Sequence, residues 1–255
     1  EELAGIPVEA DLASEFRYRH PILEEGTLTI IISQSGETAD SLAALRAAKK
    51  QGIRVLGIIN VVGSSIAREA DNVIYTLAGP EIAVATTKAY STQLAALYLL
   101  ALHFSRVRGT ITQERYTLLL SDLRRLPEQI QSILEKNITR IQYIASNFVA
   151  VKDSFFIGRG IDYAAAMEGS LKLKEISYVH SEAYPAGDLK HGPIALIENG
   201  TLVTAIITQE ELLKKTISNI VEVSSRGAFI LTIANEGSEE VERVSDAVIY
   251  IPKTA

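Results

Sequence analysis

The sequence predicts an α/β fold: two repeated, doubly wound parallel-sheet domains joined by a helical connector. Three observations carry this expectation. They are an internal repeat, apolar runs alternating with helical periodicity, and a composition that can fill two cores. Of 255 residues, 47% are hydrophobic and 22% charged, which excludes a disordered chain. Runs apolar throughout and separated by helices read as parallel strands covered on both faces.

The repeat sets the organisation. Gly52-Ile53-Arg54-Val55-Leu56-Gly57-Ile58-Ile59-Asn60 matches Gly227-Ala228-Phe229-Ile230-Leu231-Thr232-Ile233-Ala234-Asn235, a separation of 175 residues (52 to 227). Asp71-Asn72-Val73-Ile74-Tyr75 matches Asp246-Ala247-Val248-Ile249-Tyr250 at the same separation, 71 to 246. Thr27-Leu28 aligns with Thr201-Leu202, and Val8-Glu9-Ala10 with Ser181-Glu182-Ala183, at separations of 174 and 173.

In the first copy, β-rich runs lie at 27–33, 54–60 and 72–77. Residues 39–51 have helical periodicity and stop at Gly52, a residue suited to the position after a helix. A long helix follows at 87–106, with Thr86 as its expected N-cap. In the second copy the runs are 154–157, 201–208, 229–234 and 247–251, with helices starting near Tyr163 and spanning about 211–226. Between the copies, 113–135 and 138–149 read as two amphipathic helices, the first bent at Pro127. The expected domains are 1–135 and 136–255. The repeat also predicts that the counterpart of the strand at 154–157 falls mostly before Glu1, and that of the helix at 87–106 after Ala255. The chain opens without Met, which adds to the expectation of a piece of a longer protein.

Lys and Arg number 25 against 31 Asp and Glu, a net charge of −6. That balance lacks the basic footprint of a nucleic-acid binder. Cysteine is absent, which excludes a disulfide framework, a thiolate metal site and a cysteine nucleophile in this chain, and fits a reducing compartment. The longest apolar run, 94–102, is too short to span a bilayer, and no signal-peptide pattern opens the chain. His20, His103, His180 and His191 show no metal-ligand spacing, so no metal site is expected.

Two segments carry candidate chemistry. The strand at 29–32 runs into Ser33-Gln34-Ser35-Gly36-Glu37-Thr38 and then into a helix. A Gly-containing turn there presents backbone N–H groups at a helix N-terminus, a ready anion site. The loop has three hydroxyls and an amide but no Lys or Arg, which suits a sugar phosphate held by neutral donors. It reads equally as a capped helix start, with Ser35 or Thr38 bonding its own backbone. The second copy has Thr208-Gln209-Glu210-Glu211-Leu212 in its place, without the Gly and with two adjacent acids. The donor-rich loop is peculiar to one half, as expected for one binding site built at the junction of a duplicated scaffold. The turn Val61-Val62-Gly63-Ser64-Ser65 and the segment Ala83-Val84-Ala85-Thr86-Thr87-Lys88 read as helix caps or as further walls of that site.

Glu168, Lys172 and Glu175 share one helix face, at i, i+4 and i+7. The stripe reads either as a solvated ion-pair face or as a general base with its charge partner. The neighbouring Leu171, Leu173 and Ile176 suggest that little of this helix is exposed. His191, in a loop bounded by Gly and Pro, is either a proton exchanger or a turn residue.

Four segments together resemble a known family: Ser33-Gln34-Ser35-Gly36-Glu37-Thr38-Ala39-Asp40, Glu81-Ile82-Ala83-Val84-Ala85-Thr86-Thr87-Lys88-Ala89-Tyr90, Leu171-Lys172-Leu173-Lys174-Glu175-Ile176-Ser177-Tyr178 and Gly187-Asp188-Leu189-Lys190-His191-Gly192-Pro193. They are similar to the tandem sugar-isomerase (SIS) domains, flavodoxin-like in fold, of the glucosamine-6-phosphate synthase family. The resemblance covers essentially the whole chain. It implies a cytoplasmic homodimer that binds fructose 6-phosphate and forms glucosamine 6-phosphate without a cofactor. Ser33, Gln34, Ser35 and Thr38 match the family's phosphate pocket, and Val84 and Thr86 a neighbouring wall. Glu175 matches the base that moves a proton between C1 and C2, Lys172 a lysine assisting it, and Glu168 a nearby acid. His191 matches a ring-opening histidine supplied by the other subunit. The resemblance places the ammonia source, a glutaminase domain with a terminal cysteine, in the full-length protein. The family's Gly-Thr-Ser turn and Schiff-base lysine fall outside this chain. Thr86 stands where Ser is common, and Asp188 where Glu is common. A non-catalytic sugar-phosphate sensor and a glutamine-independent isomerase or deaminase are the other readings of the same scaffold.

Overall fold

A computed structural model describes residues 1–254, and the chain divides into two compact units, the first Glu1–Leu123 and the second starting at Arg124.

In the first unit a short helix, α1 (Ala13–Phe16), precedes three parallel strands, β1 (Leu28–Ser33), β2 (Arg54–Ile59) and β3 (Asn72–Tyr75), in the order β1-β2-β3. Helix α2 (Ala39–Lys50) connects β1 to β2, and α3 (Ser65–Glu69) connects β2 to β3. Gly52 stands just past α2 with φ +76. Its N–H donates to the Lys49 carbonyl at 2.9 Å, and that of Ile53 to the Ala48 carbonyl at 3.2 Å. This paired closure is a Schellman motif and needs a left-handed residue between the two bonds. Ile53 then enters the core with Ile31, Leu45, Val55, Ile59 and Ile66. Helix α4 (Lys88–Arg108) ends the same way on Gly109, φ +69.

The second unit holds five parallel strands in the order β5-β4-β6-β7-β8. They are β4 (Asp153–Gly158), β5 (His180–Pro185), β6 (Leu202–Ile207), β7 (Phe229–Asn235) and β8 (Ala247–Ile251). Helix α6 (Ile161–Ser177) joins β4 to β5, and α7 (Leu213–Ser224) joins β6 to β7. Phe155, Ile157, Val203, Ala205, Ile220 and Ile230 lie in its core.

The repeat holds at the level of single contacts. Leu56 faces Asn72 across β2 and β3, and Leu231 faces Ala247 across β7 and β8. Helix α2 buries Ser41, Ala44, Leu45 and Ala48; α7 buries Thr216, Asn219, Ile220 and Val223, each 175 residues later. Asp71 binds Val55 through both its N–H and its carboxylate, and Asp246 binds Ile230 in the same two ways. Each Asp holds the incoming strand onto its neighbour.

Three expectations need correction. The connector is one helix, α5 (Gln113–Ser146), running through Pro127 without a break. Proline removes a single bond, and no glycine in 113–146 gives the helix a place to stop. Strand β5 was not expected, because His180-Ser181-Glu182 lacks the apolar run of a central strand. It is an edge strand bonded to β4 alone, where polar residues are tolerated. Its counterpart, Val8-Glu9-Ala10, is not a strand. No strand equivalent to β4 stands beside it among the described residues. Finally, α4 starts at Lys88 with Thr87 at its cap and no side-chain capping bond, so Thr86 does not cap it. A long bond from the Ala89 N–H to the Glu81 carboxylate, 3.4 Å, takes that place. Among the described residues no helix is long and apolar enough to cross a membrane.

Candidate active site

The loop after β1 forms because Gly36 takes φ +67, which a side chain would resist. Ser33, buried at the end of β1, turns its hydroxyl back to accept the Gly36 N–H at 3.0 Å. Ser35 Oγ accepts the Glu37 N–H at 3.2 Å. Thr38 caps α2 in an extended conformation but makes no side-chain capping bond. The self-capping alternative therefore holds for Ser35 and fails for Thr38, whose exposed hydroxyl stands at the mouth of the α2 N-terminus.

All three strands deliver their following loops to one edge. A cavity of about 350 Å³ there is lined by Gln34 after β1, Asn60 and Val61 after β2, and Leu77, Gly79 and Pro80 after β3. The carboxyl edge of a parallel sheet is where ligands of open α/β folds bind. Asn60, unassigned from sequence, holds that edge together. Its side chain donates to the Gly79 carbonyl at 2.7 Å and accepts from the Ala78 N–H at 2.8 Å and the Thr76 hydroxyl at 3.2 Å. Val84 stands 89% exposed on the open segment before α4, and Thr86 is half-buried.

The corresponding loop of the second unit is already occupied. Asp162, buried in the first turn of α6, accepts both the Thr208 N–H at 2.9 Å and the Thr208 hydroxyl at 2.5 Å. Gln209 donates to the Arg159 carbonyl at 2.6 Å, and Asn235 to the Thr208 carbonyl at 2.7 Å. Both Thr208 donors are spent on the chain's own carboxylate, and the Gln209 and Asn235 amides on backbone carbonyls.

Helix α6 brings Glu168, Lys172 and Glu175 together. Lys172 Nζ lies 2.5 Å from Glu175 Oε2 and 3.6 Å from Glu168 Oε1. The three side chains are about three-quarters buried, so the ion pairs are only partly screened. The hydrogen bond to Glu175 holds the Lys172 ammonium above its ordinary value, and Glu168 adds to the effect. Two carboxylates thus flank one cation that stays charged at neutral pH. The helix packs close to β4 because residue 169 is Gly, where a Cβ would come within 3.0 Å of the Phe156 ring. The expectation that little of α6 is exposed fails: Leu171 and Ile176 are 43% and 67% exposed. The sheet of this unit covers one face of the helix only.

His191 ends a 3-10 turn, Leu189–His191, anchored by the buried Leu189. Its ring is exposed and bonds to nothing among the described residues, so the structure does not join it to the α6 cluster. Among the described residues no group of His, Asp and Glu could hold a metal.

A duplicated parallel α/β scaffold, with one open donor loop and one filled by its own carboxylate, defines the class of this protein. Residues 1–103 and 148–255 match the SIS domain, and the chain belongs to the SIS domain family. A curated relative, the glutamine–fructose-6-phosphate aminotransferase (isomerizing) of Caldanaerobacter subterraneus subsp. tengcongensis, is 59% identical over 254 residues. These are 100% of this chain but 42% of the relative, so the chain spans less than half of that protein. Among solved structures, the C-terminal domain of glucosamine-fructose-6-phosphate aminotransferase from Francisella tularensis superposes with a TM-score of 0.94. It is 39% identical over 99% of this chain and 72% of that one. A glucosamine-6-phosphate deaminase from Thermotoga maritima gives a TM-score of 0.73 at 27% identity, over 94% of this chain and 68% of its own.

Proposed function

We propose that this chain is the isomerase part of a glutamine–fructose-6-phosphate aminotransferase (isomerizing), binding fructose 6-phosphate and releasing glucosamine 6-phosphate. The observation that carries the reading is the asymmetry of the two copies: an open loop of neutral donors in one, a Glu–Lys–Glu cluster on α6 in the other. A ketose-to-aldose conversion needs those two parts, an anchor for the phosphate and a base at C1 and C2. Ser33, Gln34, Ser35 and Thr38 hold the phosphate, with Val84 and Thr86 along the sugar. Glu175 takes a proton from C1 and returns it at C2, while Lys172 and Glu168 set its charge environment. A sensor would need the loop but no proton carrier. The likeness to a deaminase favours a glutamine-independent enzyme as second reading, but at 27% identity against 59% for the aminotransferase. Ammonia comes from a glutaminase domain of the full-length protein, which works in the cytoplasm.

The test is a titration of glucosamine 6-phosphate. Ser35→Ala with Thr38→Ala should weaken binding by about 1–3 kcal/mol, the worth of hydrogen bonds to a charged group. Gln209→Ala, in the filled loop, should leave affinity unchanged. Equal losses at both places would overturn the division of labour between the copies.

The full-length protein works as a homodimer, with His191 acting on the sugar bound by the partner. Its support is the exposed, unbonded ring at the end of a rigid turn. Mixing inactive Glu175→Gln and His191→Ala proteins should restore up to about a quarter of wild-type activity once subunits exchange at random. Activity that stays at background after verified exchange places His191 within its own chain's site.

A further inference from the structure

The loop assigned to the phosphate carries an acid of its own. Glu37 lies between Gly36 and Thr38, and a free carboxylate there would repel a phosphate. It is not free. Glu37 Oε1 accepts the N–H of Ser65, the first residue of α3, at 2.8 Å. Hydrogen bonds from the Ser65 hydroxyl and from this N–H hold the Glu37 carboxyl below the ordinary carboxylate value. Three further contacts join the same two loops. The Gly36 carbonyl accepts the Ile66 N–H at 3.0 Å, and the Gln34 carbonyl accepts the Asn60 N–H at 3.3 Å. Ser64, 3% exposed and with no partner for its hydroxyl, packs on Gly36 so closely that a Cβ there would sit 2.1 Å from Ser64 Oγ. The next acid along, Asp40, is committed as well, to Arg17 at 2.6 Å.

We propose that Glu37 is a positioning residue, whose bond to the Ser65 N–H latches the β1–α2 loop onto the β2–α3 turn in its phosphate-receiving shape. The bond also commits the Glu37 charge to the start of α3, so an acid is tolerated in a loop that lacks cations. This rests on the phosphate assignment made above.

The latch can be opened from either side. Glu37→Ala removes the acceptor. Ser65→Pro removes the donor and suits the backbone: proline is favoured at the first helical position, and Ser64 before it is extended, with φ −63 and ψ 165. In the full-length enzyme each should raise KM for fructose 6-phosphate about tenfold or more, with kcat within about twofold. The double variant should be no worse than either single one, because both delete the same Glu37–Ser65 contacts. Glu37→Gln keeps an accepting oxygen and should stay within about threefold of wild type.

Unchanged KM in Glu37→Ala and Ser65→Pro overturns the latch. So does a Glu37→Gln variant as impaired as Glu37→Ala, which would make charge rather than the bond decisive. Tighter binding by Glu37→Ala, the signature of mere repulsion, overturns it too. Should Glu37→Ala fail to fold by circular dichroism, Ser65→Pro against Glu37→Gln decides by the same criteria. The Ser35→Ala, Thr38→Ala protein separates the two proposals. If it binds normally, the phosphate assignment fails. If it binds weakly while both latch variants bind normally, only the latch fails.

Discussion

Glu175→Gln should all but abolish isomerisation in the full-length enzyme. The amide keeps the shape of the side chain and an oxygen that can accept from Lys172 Nζ, now 2.5 Å away. What it loses is the capacity to take a proton. Removing a general base costs about 10²- to 10⁴-fold in rate, and here the loss should fall on kcat. Affinity for fructose 6-phosphate should stay within a few-fold, since the proposed phosphate anchor belongs to the other copy of the fold. Turnover is followed by glucosamine 6-phosphate formation, and affinity by calorimetry. Normal turnover would move the base elsewhere, and Glu168, 3.6 Å from the same ammonium, would be next to test.

Gly36→Ala should be nearly as damaging to binding. A left-handed backbone costs a residue with a Cβ roughly 1–2 kcal/mol, and at Gly36 the added carbon also meets Ser64 Oγ at 2.1 Å and Ile59 Cγ2 at 3.0 Å. The loop must move. We expect a lower melting temperature and an affinity for glucosamine 6-phosphate reduced by about tenfold or more. Gly52→Ala is the matched control. It has φ +76 and nothing within 4 Å of the added carbon, so it pays the backbone strain and should bind normally. Adding Ser64→Gly to Gly36→Ala removes the nearest clash and should recover part of the binding. Wild-type affinity in Gly36→Ala would show that the loop's shape does not matter to the ligand.

Much of the fold is legible because duplication writes each packing rule twice. Asp71 and Asp246 are polar residues at the threshold of apolar strands, and their recurrence at one separation marks a structural bond. Asn60 and Asn235 carry the same signal. Asn235 ends β7 and Asn60 directly follows β2, and both bond a neighbouring loop, so the repeat could have exposed Asn60 as a hub. Strand β5 was hidden because an edge strand need not be apolar, and the single connector helix because a proline is a weaker stop than it looks. In the site, the donors Ser33, Ser35 and Thr38 could be read from one loop. The turn carrying Ser64 and Ser65 could be read as a further wall, but its pairing with Gly36 and Glu37 could not. Glu37 and Ser65 meet from 28 positions apart, and sequence order does not say which residues of the two loops touch.

The carboxylate of Asp162 gives the second copy an unusual kind of silence. A tethered group competes with free ligands at the high effective concentration set by its attachment. Asp162 is further held in place by the turn of helix that carries it. Inorganic phosphate or a sugar phosphate would have to displace this tethered carboxylate from Thr208. The second loop therefore keeps the Thr208 N–H and hydroxyl satisfied from within the chain. Duplication doubles the scaffold, and on the phosphate assignment proposed above this one side chain leaves a single loop per chain for the ligand.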